Sequence, residues 1–555
     1  MNPVRHSGRI PARALRGTVA VLSTCGLLLT ACTTIGPEQA SARLSPAQAP
    51  QGAADAASTS PVPPGLQRYY GQELHWKTCP DTPAFQCTTV KAPLDYAHPD
   101  AGDINLEAAR KKATRTGATR IGSLLFNPGG PGESAIDYLT AAPDKFASVN
   151  AAFERLNATY DLVALDPRGV GHSTPVDCGT DTSTAATDSG ASTPSTDQKI
   201  QESAAAWAEV AAACARHAGR LLPHVGTLDA ARDMDLMRAL LGDEQLHYIG
   251  WSYGTYLGAT YAELFPSRVG RMVLDGAVDP SLNAGSHYLS QARGHQVAWE
   301  AFATDCAARS DCPVGHSVKE AGRTLDSLVA RLDRTPLRQG KDITIDGQTV
   351  LITTIFLLRA PNWPTLRQVL REALAGDTTT LQESYGGQLS DSLGVQSQTA
   401  VSCLSSTLGP RYTAAQAKAH LAELKQVAPQ FGKFWVQFLT WCTSWPVPAN
   451  QTAHPITAPG AAPILVVGTT RDPATPYNQA QALARQLQSG RLLTWDGDGH
   501  GAYIQGSTCI QNAVDHYLLD GRLRAAGTIC TDAPDTANEP VGTAPEALTP
   551  AEMHR

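Results

Sequence analysis

Leu246-His247-Tyr248-Ile249-Gly250-Trp251-Ser252-Tyr253-Gly254 is the stretch that decides how this chain is read. The run ending in Tyr248 and Ile249 has the character of a short buried strand. It breaks into Gly-x-Ser-x-Gly, and Thr255-Tyr256-Leu257-Gly258-Ala259-Thr260-Tyr261-Ala262-Glu263-Leu264 continues as a predicted helix. Strand, tight turn and helix in that order make the motif a nucleophile elbow. The turn strains the backbone at Ser252 and demands small flanking residues, which Gly250 and Gly254 supply. Ser252 also falls at a helix N-terminus, where free N–H groups and the dipole favour developing negative charge. The same pattern arises by chance in glycine-rich loops; the flanking strand and helix separate this one from those.

Toward the N-terminus, Ile121-Gly122-Ser123-Leu124-Leu125-Phe126 is an apolar strand running into Asn127-Pro128-Gly129-Gly130-Pro131-Gly132. A glycine-rich loop at a strand's C-terminal end, ahead of the nucleophile, is where an α/β-hydrolase carries half its oxyanion hole. The backbone N–H groups of Gly130 and Tyr253 are the expected donors. A phosphate cradle is the poorer reading, because no Gly-Lys-Ser/Thr follows. Tyr160-Asp161-Leu162-Val163-Ala164-Leu165 is a third strand, feeding Asp166-Pro167-Arg168-Gly169-Val170-Gly171-His172-Ser173. Asp166 and Arg168 read as a structural pair bracing the loop beside the oxyanion hole rather than as catalytic groups. Thr227 is the expected N-cap of a helix through 241, with Met234, Met237, Leu240 and Leu241 on its apolar face and Gly242 at its end. Short strands at 74–76, 88–90 and 104–106 read as antiparallel edge strands.

Beyond the elbow helix, Arg271-Met272-Val273-Leu274 is the next strand, closed by Asp275-Gly276. Strands and helices thus alternate, the pattern of a mostly parallel sheet with helices on both faces. Residues 281–455 break the alternation. Helical spacing at 287–308, 318–332, 353–359, 364–374, 414–424 and 431–442 predicts a large helical lid inserted between sheet strands. Trp363, Trp435, Trp441 and Trp445 read mainly as its core. The sheet resumes at Pro463-Ile464-Leu465-Val466-Val467-Gly468, and Arg491-Leu492-Leu493-Thr494-Trp495 is the predicted last strand.

A serine nucleophile needs a base within reach and a carboxylate to orient that base. In α/β-hydrolases the chain order is serine, acid, histidine. Ser252, Asp472 and His500 satisfy it, and each follows a strand. Strand-end loops gather at one edge of a parallel sheet, so residues distant in sequence can meet there. The chain has 15 His, so position must select among them: His500 follows a late strand in a glycine-rich loop, whereas His172, His247 and His287 do not. Asp496 and Asp498 lie in the same loop as His500 and read as turn residues.

These motifs, with Gly468-Thr469-Thr470-Arg471-Asp472-Pro473-Ala474-Thr475-Pro476-Tyr477 and Gln291-Ala292-Arg293-Gly294, resemble the secreted tripeptidyl aminopeptidases of actinobacteria. These are serine exopeptidases related to proline iminopeptidase, and the likeness runs from about Leu66 to Cys530. The resemblance implies an α/β-hydrolase fold, release of short peptides from free N-termini, and no metal or cofactor. It also implies that acidic groups, largely from the lid, hold the substrate's α-amine. Glu133, Asp279 and Glu300 are the candidates, with Thr475 a further substrate contact. Glu133 stands where the family often has a small residue, and Gly501 where Thr is common, so substrate preference follows less directly than the chemistry.

The N-terminal stretch reads as that of an exported chain, and export gives the cysteines their meaning. Arg5, Arg9, Arg13 and Arg16 precede a short apolar stretch ending in Leu29-Thr30-Ala31-Cys32, which resembles a bacterial lipobox. Residues 1–31 read as a lipoprotein-type signal peptide and Cys32 as the lipid anchor to the outer face of the membrane; the alternative is an ordinary secretory signal with Cys32 incidental. Residues 32–65 read as a flexible linker, 66–280 and 456–532 as the two parts of the core, 281–455 as the lid and 533–555 as a disordered tail. Of the 12 Cys, ten remain after Cys25 and Cys32. In an oxidising compartment these read as disulfides. Sequence leaves connectivity open, and sequential pairing is the simplest: Cys79–Cys87, Cys178–Cys214, Cys306–Cys312, Cys403–Cys442 and Cys509–Cys530. No Cys-x-x-Cys pair exists to favour a metal site. A net charge of −7 gives no basic surface for nucleic acid. The resemblance implies peptides with a free N-terminus as partners, and the chain is expected to act as a monomer.

Overall fold

The computed structural model describes residue 62 and residues 64–115, 119–140, 147–179, 197–339, 343–386 and 392–532. The leader 1–31, Cys32, most of the linker and the tail 533–555 lie outside the described residues.

Twelve strands are described: β1 Lys77–Thr78, β2 Gln86–Pro93, β3 Asp103–Lys111, β4 Gly122–Asn127, β5 Tyr160–Leu165, β6 Leu246–Trp251, β7 Val269–Asp275, β8 Leu337–Gln339, β9 Ile343–Ile345, β10 Ile464–Arg471, β11 Gly490–Asp498 and β12 Ile529–Cys530. Ten form one sheet, ordered β1-β2-β3-β5-β4-β6-β7-β10-β11-β12. β1, β2, β3 and β5 pair antiparallel, and every pairing from β5 through β12 is parallel. The parallel strands β4 and β5 are buried at every residue, whereas β2 and β3 alternate. Parallel strands covered by crossover helices need apolar residues on both faces; an antiparallel edge needs them on one.

Successive residues of the central strands feed opposite faces. Leu125 and Tyr248 pack with Met234 and Met237 of the helix Thr227–Leu240. Phe126, Ile249 and Trp251 pack on the other side with Phe153, Trp495 and Tyr503. Between β7 and β10 the chain leaves the sheet for a helical insertion led by Ala284–Ala307, with the small hairpin β8–β9 inside it. Trp435 packs edge-on or tilted among Tyr288, His295 and Phe438 there, and Trp441 packs tilted against Trp207, so these indoles are core. The ten paired cysteines join in sequential order.

The structure corrects several local expectations. Residues 74–76 are not a strand; pairing starts at Lys77 opposite Cys87. Thr227 is the first residue of its helix, with Gly226 as the N-cap. β11 is not the last strand, because β12 adds in parallel beyond it. The helices Thr379–Gly386 and Ser392–Ser402 were not expected, being rich in Ser, Thr and Gln and poor in an apolar stripe. Residues 431–442 hold a helix Gly432–Trp435 and a 3-10 turn Val436–Thr440 instead of one helix.

Candidate active site

Ser252 stands between β6 and the helix Tyr253–Leu264 at φ 55° and ψ −123°, a conformation non-glycine residues rarely hold. Close packing enforces it. A Cβ on Gly250 would lie 2.4 Å from the carbonyl oxygen of Gly254, and one on Gly254 would lie 2.6 Å from that of Asn127. The N–H of Ser252 donates to the carbonyl of Asp275 at the end of β7 (3.0 Å). Its carbonyl accepts the hydroxyl of Thr255 at 2.6 Å. Tyr253 opens the helix, so its N–H has no intrahelical acceptor; its buried phenol meets Thr227 Oγ1 at 3.0 Å.

The glycine-rich loop after β4 passes directly over this turn. A Cβ on Gly129 would lie 2.9 Å from Ser252 Cβ and 3.4 Å from the Tyr253 nitrogen, so only glycine lets the backbone approach that closely. Gly130 follows at φ 95°. The loop is braced from below by Asp166, whose carboxylate accepts Ser134 Oγ at 2.9 Å, the N–H of Ile136 at 3.0 Å and the N–H of His172 at 2.9 Å. Burial pushes Asp166 up to about 6, and these donors hold it back.

Asp166 and Arg168 do not pair with each other, which corrects the sequence reading. Arg168 is fully buried and forks onto Asp233, with Nε and Nη2 each 2.7 Å from a carboxylate oxygen. Its remaining N–H groups reach the carbonyls of Pro93, Leu94 and His224. Arg168 fastens the sheet edge to the helix Thr227–Leu240, and Asp166 alone braces the glycine-rich loop.

At the ends of β10 and β11 the structure brings Asp472 and His500 together. His500 Nδ1 lies 3.0 and 2.9 Å from the two oxygens of the buried Asp472 carboxylate. The Asp472 Oδ1 also accepts the N–H groups of Ala474 (2.8 Å) and Thr475 (2.9 Å). Thr475 belongs to this pair rather than to a substrate surface: its hydroxyl donates to Asp472 Oδ2 (3.0 Å) and lies 3.2 Å from His500 Nδ1. Asp496 and Asp498 are strand-end anchors, not turn residues; both hold Arg471, at 2.7 Å each, which locks the two strand ends side by side.

The His500 ring rests on the corner that also holds Ser252. A Cβ on Gly276 would lie 3.2 Å from His500 Cε1 and 3.2 Å from Thr475 Oγ1, immediately after the carbonyl that takes the Ser252 N–H. Asp275 escaped the sequence reading, where it appeared only as a strand-end residue. Its buried carboxylate accepts the N–H groups of Ala502 (3.0 Å) and Tyr503 (2.9 Å) and so fixes the segment after His500. Burial pushes Asp275 up to about 6, against the pull of those N–H groups and of His500.

The helical insertion seats on all three loops. A Cβ on Gly132 would collide with Gly394 O at 2.6 Å, and one on Gly294 with Pro473 O at 2.7 Å. The carbonyl of Arg359, last residue of the helix Gly347–Arg359, accepts the N–H of His500 at 2.7 Å. The candidate α-amine ligands stand in different surroundings. Asp279 is buried and engaged by Ser281 and Gln486, and Glu300 is exposed and held by Gln296. Only Glu133, exposed, adjoins the glycine-rich loop after β4.

Strand ends carrying a strained serine, an aspartate and a histidine to one edge of a parallel sheet are how the α/β-hydrolase fold builds a serine hydrolase. The family model described as TAP-like protein matches residues 428–530. Serine protease Hip1 of Mycobacterium tuberculosis is 36% identical over 492 residues, covering 83% of this chain and 91% of its own. Tripeptidyl aminopeptidase of Streptomyces lividans is 32% identical, covering 80% and 83%. Carboxylesterase B of M. tuberculosis is 34% identical, covering 80% and 86%. The chain belongs to the actinobacterial tripeptidyl aminopeptidase family of serine peptidases.

Proposed function

We propose that this chain is an exported serine aminopeptidase that releases short peptides, tripeptides among them, from free N-termini. The observation that carries the reading is the shared corner: the strained Ser252 and the Asp472-bound His500 both rest on Asp275-Gly276. With Nδ1–H donated to Asp472, His500 Nε2 is the basic nitrogen. It takes the proton of Ser252 Oγ as that oxygen bonds to the scissile carbonyl carbon. The oxyanion forms against the N–H groups of Tyr253 and Gly130. His500 then gives its proton to the leaving amine as the C–N bond breaks, and a water, deprotonated by the same nitrogen, hydrolyses the acyl-enzyme. Thr475 keeps Asp472 and the imidazole in register, and the helical insertion serves as the lid.

The name of the S. lividans relative supports tripeptide release. That of Carboxylesterase B keeps an esterase with the same machinery as the second reading. The two differ in whether the substrate's α-ammonium matters. Kinetics on a free and an N-acetylated tripeptide anilide should show a loss of at least about tenfold in kcat/KM on acetylation, the worth of one charge-assisted contact. Equal rates for the two would sink the exopeptidase reading and favour the esterase.

Export rests on the basic, apolar N-terminal stretch and on the paired cysteines. With Cys32 as the lipid anchor, Cys32→Ser should move the enzyme from the membrane fraction to the medium, as immunoblotting of the two fractions would show. Unchanged membrane association would remove the anchor from the account.

A further inference from the structure

Arg359 sits where the insertion touches the catalytic histidine, and among the described residues its guanidinium holds no carboxylate or carbonyl. A guanidinium carries five N–H donors, and that of Arg359 is half-buried, open enough for a ligand to reach. Arg168 shows the usual solution, with every direction taken by a carboxylate or carbonyl. Arg359, in contrast, forms no hydrogen bond through its side chain and no ion pair among the described residues. Its Nε is sealed from solvent without an acceptor. Its one described ring contact is with Phe356, 5.7 Å from the guanidinium carbon to the centroid.

The charges around it locate the group. Burial pushes the Arg359 pKa down, while Asp472 and Glu133 pull it up. The buried His295, on the helix Ala284–Ala307, is lowered by burial first and by Arg359 next. The guanidinium is therefore within electrostatic reach of Asp472, of Glu133 on the glycine-rich loop and of His295. The Arg359 backbone carbonyl holds the His500 N–H at 2.7 Å, so it is on the histidine's side of Ser252. In acyl transfer that is the side on which the leaving group takes its proton.

We infer that Arg359 is a specificity-determining residue that binds a carboxylate on the leaving-group side of the scissile bond. The preferred substrate then carries that carboxylate on the first residue after the cleaved bond, as an acidic side chain or as a free C-terminus. A carboxylate matches the guanidinium fork in shape and charge. Binding it would give the sealed Nε an acceptor that the folded enzyme does not supply. The inference rests on the reading of Ser252, His500 and Asp472 as the reacting centre.

The test is a set of tetrapeptides, each three alanines followed by a variable fourth residue. The side-chain arm compares Asp-amide with Asn-amide at position four. The terminal arm compares free Ala with Ala-amide. Wild-type enzyme should prefer the charged member by about 10- to 100-fold in kcat/KM in at least one arm. In Arg359→Gln the ratio should fall toward one, and in Arg359→Lys it should be intermediate, because charge remains without the fork. The ratio does not depend on the amount of folded enzyme, so a poorly folding variant still reports. A wild-type ratio near one in both arms, or a ratio unchanged in Arg359→Gln, overturns the inference. If wild type cleaves none of the peptides, 4-carboxyphenyl and 4-carbamoylphenyl acetate replace them. A charge preference there, lost in Arg359→Gln, sustains the inference while the peptidase reading falls; no preference overturns the inference.

Discussion

Ser252→Ala should abolish hydrolysis, lowering kcat by about 10⁶ where nucleophile and base act as a unit. No neighbouring hydroxyl can substitute. Thr255 Oγ1 donates to the Ser252 carbonyl and accepts the N–H of Val278, and Thr475 Oγ1 is held by Asp472. With Ser252 and His500 serving one proton transfer, as proposed, the double variant with His500→Ala should be no slower than either single one. Stability tells the same story from another side. Alanine inherits the φ of 55°, so Ser252→Ala should unfold at nearly the wild-type temperature. Ser252→Gly should be as inactive yet more stable by about 1 kcal/mol, since glycine holds a positive φ without strain. Turnover by wild type, both single variants and Ser252→Gly, alongside thermal unfolding, checks both halves. Retention of even a hundredth of wild-type kcat in Ser252→Ala would remove Ser252 from the mechanism.

The parts of this molecule that could be read in advance are those with a local signature. The elbow declares itself because Gly250, Ser252 and Gly254 answer to one turn, and β4 through β7 because parallel strands must be apolar on both faces. Asp472 and His500 could be selected by position, since a parallel sheet delivers strand ends to one edge. What stayed hidden depends on partners far along the chain. Arg168 and Asp233 are 65 residues apart, so a neighbouring Asp166 looked like the natural mate. The direction of the Thr475 hydroxyl is set by the turn that Asp472 makes with Ala474 and Thr475, and threonine beside a catalytic acid reads equally well as a substrate contact. β12 is two residues long at the end of an irregular segment and has no periodicity to show. The helix Ser392–Ser402 is held by contacts such as Ser397 to the Gly169 carbonyl, 2.7 Å, not by an apolar stripe.

Asp472→Asn should lower kcat by about 10⁴ with KM little changed, because an amide facing Nδ1 favours the imidazole tautomer that carries its proton on Nε2, the wrong nitrogen. The sharper form of this prediction sets Asp472 against Asp275, the other buried carboxylate at the same corner. Both feel His500, but only Asp472 hydrogen-bonds the ring; Asp275 holds the N–H groups of Ala502 and Tyr503. Asp275→Asn keeps an oxygen for one of those N–H groups and turns an N–H₂ toward the other. It should therefore loosen the segment after His500 and lower kcat by about tenfold, the cost of one imperfect buried hydrogen bond. Its stability effect should depend on pH. Asp275 is raised to about 6 in the folded enzyme, above its unfolded value near 4. The native state thus keeps a proton that the unfolded chain has lost. The stability this confers is full below about pH 4 and disappears as pH rises through about 6, an amount of roughly 2–3 kcal/mol. Asparagine does not titrate, so the stability of Asp275→Asn relative to wild type should improve by roughly that amount between pH 4 and pH 7. Chemical denaturation of both proteins across this range gives the difference directly, and steady-state kinetics at pH 7 gives the two kcat values. If Asp275→Asn proved as slow as Asp472→Asn, the orienting acid would have to be reassigned from the end of β10 to the end of β7.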